Sequence, residues 1–180
     1  MGQDMANRPD RNAVRNYPPP RGNVLLLTCM DLRVLDETIR FMEGDGLTNR
    51  YDHLIFAGAA LGAVGGKLPR LSHWQDTFFD HLKIALSLHQ PHDFYILEHR
   101  NCGAYREILK EDGTFGDSAK DYHRETEIHR RFSMFLKAEV ESWCKSEGIF
   151  LQVHCFLMDL RGEVERLDDK PAKRRPRSSG

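Results

Sequence analysis

The sequence predicts an α/β domain, a mostly parallel central sheet of about four strands flanked by helices, with a short additional C-terminal strand. Two observations carry this. Short unbroken apolar runs (VLLLT at 24–28, DFYIL at 93–97) alternate with longer stretches of helical period, and parallel strands need a connection about as long as a helix. A run apolar at every position also suits a strand covered on both faces.

In order along the chain, VLLLT is the first strand, and Leu35, Ile39 and Met42 repeat at helical spacing behind it. HLIFA (53–57) is the second strand. Glycine-rich GAALGAVGGK follows it, then a helix with Leu71, Trp74, Phe78, Leu82 and Ala85 on one stripe. Ser72 and Gln75 there have the spacing of a capping box. DFYIL is the third strand, CGAYREILK starts a third helix, and EDGTFGDS is a polar loop. A long helix then carries Ile128, Phe132, Phe135, Val140 and Trp143 in register. IFLQVHCFLM (149–158) is the fourth strand, and DLRGEVERL reads as a turn with a short strand, hairpinned onto the fourth.

The domain spans 23–168. Residues 1–22, with three consecutive prolines, read as an extended arm with polyproline II character, and the basic 169–180 as a disordered tail. The 180 residues are 40% apolar and 29% charged with a formal net charge of -1. That is ordinary globular composition and gives no electrostatic case for nucleic acid or membrane as partner. The least polar stretch is too short and glycine-rich to span a bilayer, and the first residues lack a secretory pattern, so the cytoplasm is the expected location. LGAVGGKL approximates a phosphate-binding loop, but Leu61 replaces its first glycine and Leu68 its final hydroxyl residue.

Chemistry concentrates at two strand ends. Cys29 closes the first strand in TCMDLR, His99 closes the third in EHRNC, and Cys102 follows at a helix start. In open α/β sheets, sites form beyond the carboxyl ends of neighbouring strands. Two thiolates and one imidazole suit zinc, and three protein donors leave a fourth position for water or substrate. Asp31 and Arg33 follow as a carboxylate that accepts a hydrogen bond beside the metal and an arginine that keeps it ionised and oriented. Cys144 and Cys155 lack partners at ligand spacing and are expected to be packed thiols.

The pattern Cys-x-Asp-x-Arg, followed about seventy residues later by His-x-x-Cys, resembles the β-class carbonic anhydrases over roughly residues 23–168. The resemblance implies zinc on Cys29, His99 and Cys102, with Asp31 and Arg33 as the catalytic dyad. It implies reversible hydration of carbon dioxide to bicarbonate by metal-bound hydroxide, and a homodimer or homotetramer. Three departures stand out. Leu32 replaces the usual serine, Glu98 the usual glycine before the histidine, and Ala57, Gly58, Ala59, Ala60 and Leu61 an Arg-Asn-Ala-Gly-Asn segment. The altered wall is less polar. It leaves open hydrolysis of a carbon dioxide analogue (carbon disulfide or carbonyl sulfide) on the same zinc, or a zinc-bound module that interacts without turnover.

Overall fold

The computed structural model describes residues 22–65 and 68–168; residues 1–21 of the predicted arm 1–22, the predicted tail 169–180 and two residues of the phosphate-loop-like stretch lie outside them. The strands are β1 (Val24–Cys29), β2 (Tyr51–Phe56), β3 (Asp93–His99), β4 (Gln152–Met158) and β5 (Val164–Arg166). The α-helices are α1 (Leu35–Gly44), α2 (Ala60–Ala63), α3 (Ser72–His89), α4 (Gly103–Leu109) and α5 (Ala119–Glu147). The sheet runs β2-β1-β3-β4-β5, parallel except for the last pair. This is the predicted architecture, down to the hairpinned terminal strand.

All six residues of β1 are buried, which explains why its sequence is apolar at every position. Leu25 and Leu27 face Phe78, Leu82, Leu136 and Val140 on one side, while Val24 and Leu26 share the other with Phe41, Met42 and Leu47. Successive side chains thus feed two separate cores, as the two-residue period of a strand requires.

Three local expectations are corrected. No capping box forms at Ser72: a 3-10 turn (Pro69–Leu71) runs straight into α3, so Ser72 is already helical and Leu71 holds the cap position without a side-chain bond. Gln75 instead donates to Glu139. The α1 stripe is rotated, with Leu35 and Ile39 exposed, because the buried anchors are Thr38, Phe41 and Met42, and Phe41 packs edge-on against Phe156. Strand boundaries also shift. β2 begins at Tyr51, which pairs with Val24, and β4 begins only at Gln152 because Gly148 ends α5 in a left-handed turn (φ +68°).

One buried cation ties β3 to α5. Arg100 is 5% exposed and donates to Glu125 (3.1 Å), the Thr126 hydroxyl (2.7 Å) and the Tyr122 carbonyl (3.3 Å). Its guanidinium also bonds Glu165 and lies 3.4 Å from the Tyr122 ring centroid. The other Glu125 oxygen accepts Asn101 N–H at 2.6 Å, so this strut holds the loop between His99 and Cys102. Removing one partner of a buried ion pair strands the other charge. Arg100→Met is therefore expected to lower stability by about 3–5 kcal/mol in urea titration; a loss below about 1 kcal/mol would contradict the strut.

Candidate metal centre

β1 and β3 are adjacent and parallel, with Thr28 opposite Leu97. Their carboxyl ends therefore open on the same side, and Cys29 and His99 stand at those ends. Cys102 reaches the same place as the residue preceding α4, in extended conformation (φ -69°, ψ 117°). One donor atom from each of the three, all buried, lies within 4.8 Å of the others, and the two sulfurs are 3.6 Å apart. Ligands of a tetrahedral zinc with these bond lengths sit about 3.4–3.8 Å from each other. The spacing fits one ion.

The imidazole is pre-set for this geometry. His99 Nδ1 is 2.9 Å from the Arg100 carbonyl, which can only accept, so Nδ1 carries the proton and Nε2 the lone pair. Nε2 is buried without a hydrogen-bond partner among the described residues. A buried nitrogen left open beside two sulfurs is what a metal-binding group requires, and otherwise costs desolvation energy.

The two thiols behave as a pair. Cys29 is lowered to about 4 by the hydrogen bond from Cys102, against the effect of burial, with help from His99 and Gly58 N–H. Cys102 is raised, because it shares that bond with Cys29 and is itself buried. Without a metal the pair thus keeps one proton. His99 is raised: burial alone would lower it, but the facing Cys29 sulfur and its charge outweigh that.

Asp31 and Arg33 meet beside these donors. Asp31 caps the 3-10 turn Leu32–Val34 by accepting Arg33 N–H at 3.1 Å, and its two oxygens take Arg33 Nε (2.9 Å) and Nη2 (2.7 Å). Nη2 also donates to the Asn101 carbonyl at 2.9 Å, joining the turn after β1 to the turn after β3. Asp31 Oδ2 lies 3.8 Å from His99 Nε2. The Arg33 hydrogen bonds hold the carboxyl down at about 2.

The segment after β2 forms the wall. Gly58 N–H donates to Cys29 Sγ at 3.3 Å, and Ala59, Ala60 and Leu61 are wholly buried. Behind it lies a polar cluster that sequence reading did not assign. Glu98, 0% exposed, accepts Ala60 N–H at 2.9 Å and pairs with His129 Nδ1 at 3.0 Å. Tyr105 packs against His129 with ring centroids 4.1 Å apart and the planes tilted by 45°, and its hydroxyl is pushed well above its ordinary pKa by burial and then by Glu98. A charged residue closing an apolar strand signals the need for a buried partner. Nothing in the spacing identifies which of nine histidines supplies it. Cys144 and Cys155 are buried in the core, and His154 pairs with Asp93 at 2.8 Å at the start of β3, the far end of the strand from His99.

No family model matches the chain. An uncharacterized protein of Rickettsia bellii is 30% identical over 148 residues, 82% of this chain and 83% of that protein. An uncharacterized protein of Rickettsia conorii is 29% identical over 150 residues, 83% and 74% of the respective lengths. Among solved structures, the β-carbonic anhydrase CafA of Aspergillus fumigatus matches with a TM-score of 0.51 at 17% identity, over 83% of this chain and 77% of that one. The β-carbonic anhydrase CafD of the same fungus matches with a TM-score of 0.50 at 13% identity, over 83% and 92%. The fold is that of the β-carbonic anhydrases.

The Asp31–Arg33 pair has a defined pH signature. Folding lowers Asp31 from an ordinary 3.8 to about 2, so the unfolded chain binds more protons between those values. The stabilisation is complete above the unfolded value and is lost as pH falls through the folded one. In metal-free Arg33→Ala protein, carboxyl NMR should find Asp31 titrating near 4, about two units higher than in the parent. An unchanged midpoint would refute the dependence on Arg33.

Proposed function

This chain belongs to the same family as the Rickettsia bellii protein, and we propose that it is a zinc enzyme that catalyses reversible hydration of carbon dioxide to bicarbonate. The observation that carries the reading is the buried triad of Cys29, His99 and Cys102, with His99 Nε2 left open toward the two sulfurs. Those three residues would hold the ion through Sγ, Nε2 and Sγ. Zinc bound by three protein donors supplies Lewis acidity that makes water nucleophilic at neutral pH. Around it, Asp31 Oδ2 accepts a hydrogen bond from the attacking oxygen and orients its lone pair toward carbon. Arg33 keeps that carboxylate charged, because two of its N–H groups already occupy the carboxylate oxygens. A protonated Asp31 could not act as this acceptor.

The apolar wall supports a second reading on the same centre. Ala57, which lines a cavity with Met30, Ile55 and Phe56, offers no side-chain hydrogen bond where the family pattern has an arginine, which favours a substrate less polar than bicarbonate, such as carbonyl sulfide or carbon disulfide. Assembly as a homodimer or homotetramer is supported by exposed Met30, Leu32 and Ile55 around the centre, the last on edge strand β2. Four unpaired cysteines suit the reducing cytoplasm. No helix among the described residues is long and apolar enough to cross a membrane.

Stopped-flow carbon dioxide hydration with metal analysis on the same sample is the test. One zinc per chain is expected, with loss of metal and rate in Cys102→Ser. Asp31→Ala should keep zinc and lose at least about 100-fold in kcat/KM. Zinc-loaded protein that hydrates carbon dioxide no faster than buffer at alkaline pH, yet hydrolyses carbonyl sulfide or carbon disulfide, would establish the second reading. Turnover of none of the three would leave a non-catalytic zinc module.

A further inference from the structure

Glu98 is a buried carboxylate one residue before His99, and its two oxygens are committed to different elements. Oε1 accepts the N–H of Ala60 at 2.9 Å, at the start of α2, and Oε2 pairs with His129 Nδ1 of α5 at 3.0 Å. The turn it grips is unusual. Gly58 has φ +76° and Ala59 φ +43°, a left-handed value that an alanine adopts at a cost. The turn is also tightly closed, since a Cβ on Gly62 would lie 2.7 Å from the Ala57 carbonyl oxygen. Such a backbone persists only where its surroundings hold it. The side-chain bond immediately downstream of the strained pair comes from Glu98. Immediately upstream, Gly58 N–H points at the Cys29 sulfur, 3.3 Å away.

We infer that Glu98 is a positioning residue of the metal centre: its bond to Ala60 locks the Gly58–Ala59 turn and so keeps the Gly58 N–H on the Cys29 sulfur. This rests on the reading of Cys29, His99 and Cys102 as metal ligands. An N–H directed at a sulfur stabilises its thiolate and fixes where its remaining lone pairs point, so the sulfur meets the ion already ionised and aimed. Groups that orient ligands in this way matter about 10- to 100-fold in metal affinity. His129 completes the device by fixing the second carboxylate oxygen. The Tyr105 ring in turn packs the imidazole at 4.1 Å between centroids.

The test uses the full chain in metal-free and cobalt-loaded forms. In Glu98→Ala, amide exchange across residues 58–61 of the metal-free protein should quicken by about tenfold or more, the loss expected for one hydrogen bond. The cobalt–thiolate charge-transfer band should shift, and cobalt affinity should fall about 10- to 100-fold. Glu98→Gln keeps an acceptor for Ala60 N–H and should restore the exchange and the band. The double variant Glu98→Leu with His129→Phe removes both polar partners together, which a core tolerates better than stranding one. It should reproduce the Glu98→Ala changes even if the single variant folds poorly. Unchanged exchange in Glu98→Ala and in the double variant overturns the inference. So does faster exchange with the parent's band and affinity, because the turn would then not reach the metal. Failure of the unsubstituted protein to take up cobalt overturns the metal reading itself, and the role of Glu98 with it.

Discussion

Everything chemical in this molecule depends on the parallel pairing of β1 with β3. The pairing is in register from Val24 opposite Asp93 to Thr28 opposite Leu97, so the two strands end together. Were β1 to pair antiparallel, Cys29 and His99 would stand at opposite ends of the sheet, roughly six residues at about 3.3 Å each apart. The register is enforced by burial on both faces. A slip by one residue would move Leu25 and Leu27 out of the layer beneath α3 and α5, and Val24 and Leu26 out of the layer beneath α1.

That convergence has an electrostatic cost which the surrounding backbone offsets. Two sulfurs at 3.6 Å cannot both be charged in a buried site without a counter-ion. The lowering of Cys29 and the raising of Cys102 are the two sides of one shared hydrogen bond, in which Cys102 keeps the proton and Cys29 carries the charge. Gly58 N–H and the Arg33 guanidinium bring the positive end of a dipole and a full charge toward the sulfurs, and Arg33 is raised first by its hydrogen bonds to Asp31 and only then by the sulfurs. Arg33 therefore serves two neighbours at once: it pins the Asp31 carboxylate and tempers the field of the thiolates.

Much of this was legible in the chain. The β-α alternation, the hairpinned last strand and the meeting of Cys29, His99 and Cys102 follow from apolar runs and from ligands placed at strand ends. The α1 stripe and the Ser72 box were misread for one physical reason. Both readings used spacing within a helix, whereas the outcome was decided by what lay outside it: Phe156 drawing Phe41 inward, and the Pro69–Leu71 turn feeding α3 directly. Glu98 is a different case. Its identity was visible as a departure, but its partners, Ala60 and His129, lie 38 and 31 positions away, and nothing local announces a contact of that range.

Two of the departures from the β-carbonic anhydrase pattern, Glu98 and the segment after β2, then become one connected change. A wall without polar side chains, Ala57 to Leu61, can supply hydrogen bonds only from its backbone, and Gly58 and Ala60 N–H are both used, toward Cys29 and Glu98. A glycine at position 98 would leave Ala60 N–H buried with no acceptor from that side, at a cost of about 1–3 kcal/mol. A glutamate without His129 would hold one carboxylate oxygen unpaired in the core. The apolar wall, Glu98 and His129 thus form a set in which each residue is tolerable because the other two are present. The polar groups of this set lie on the buried side of the turn, where Glu98 grips Ala60 N–H next to the backbone that faces the Cys29 sulfur.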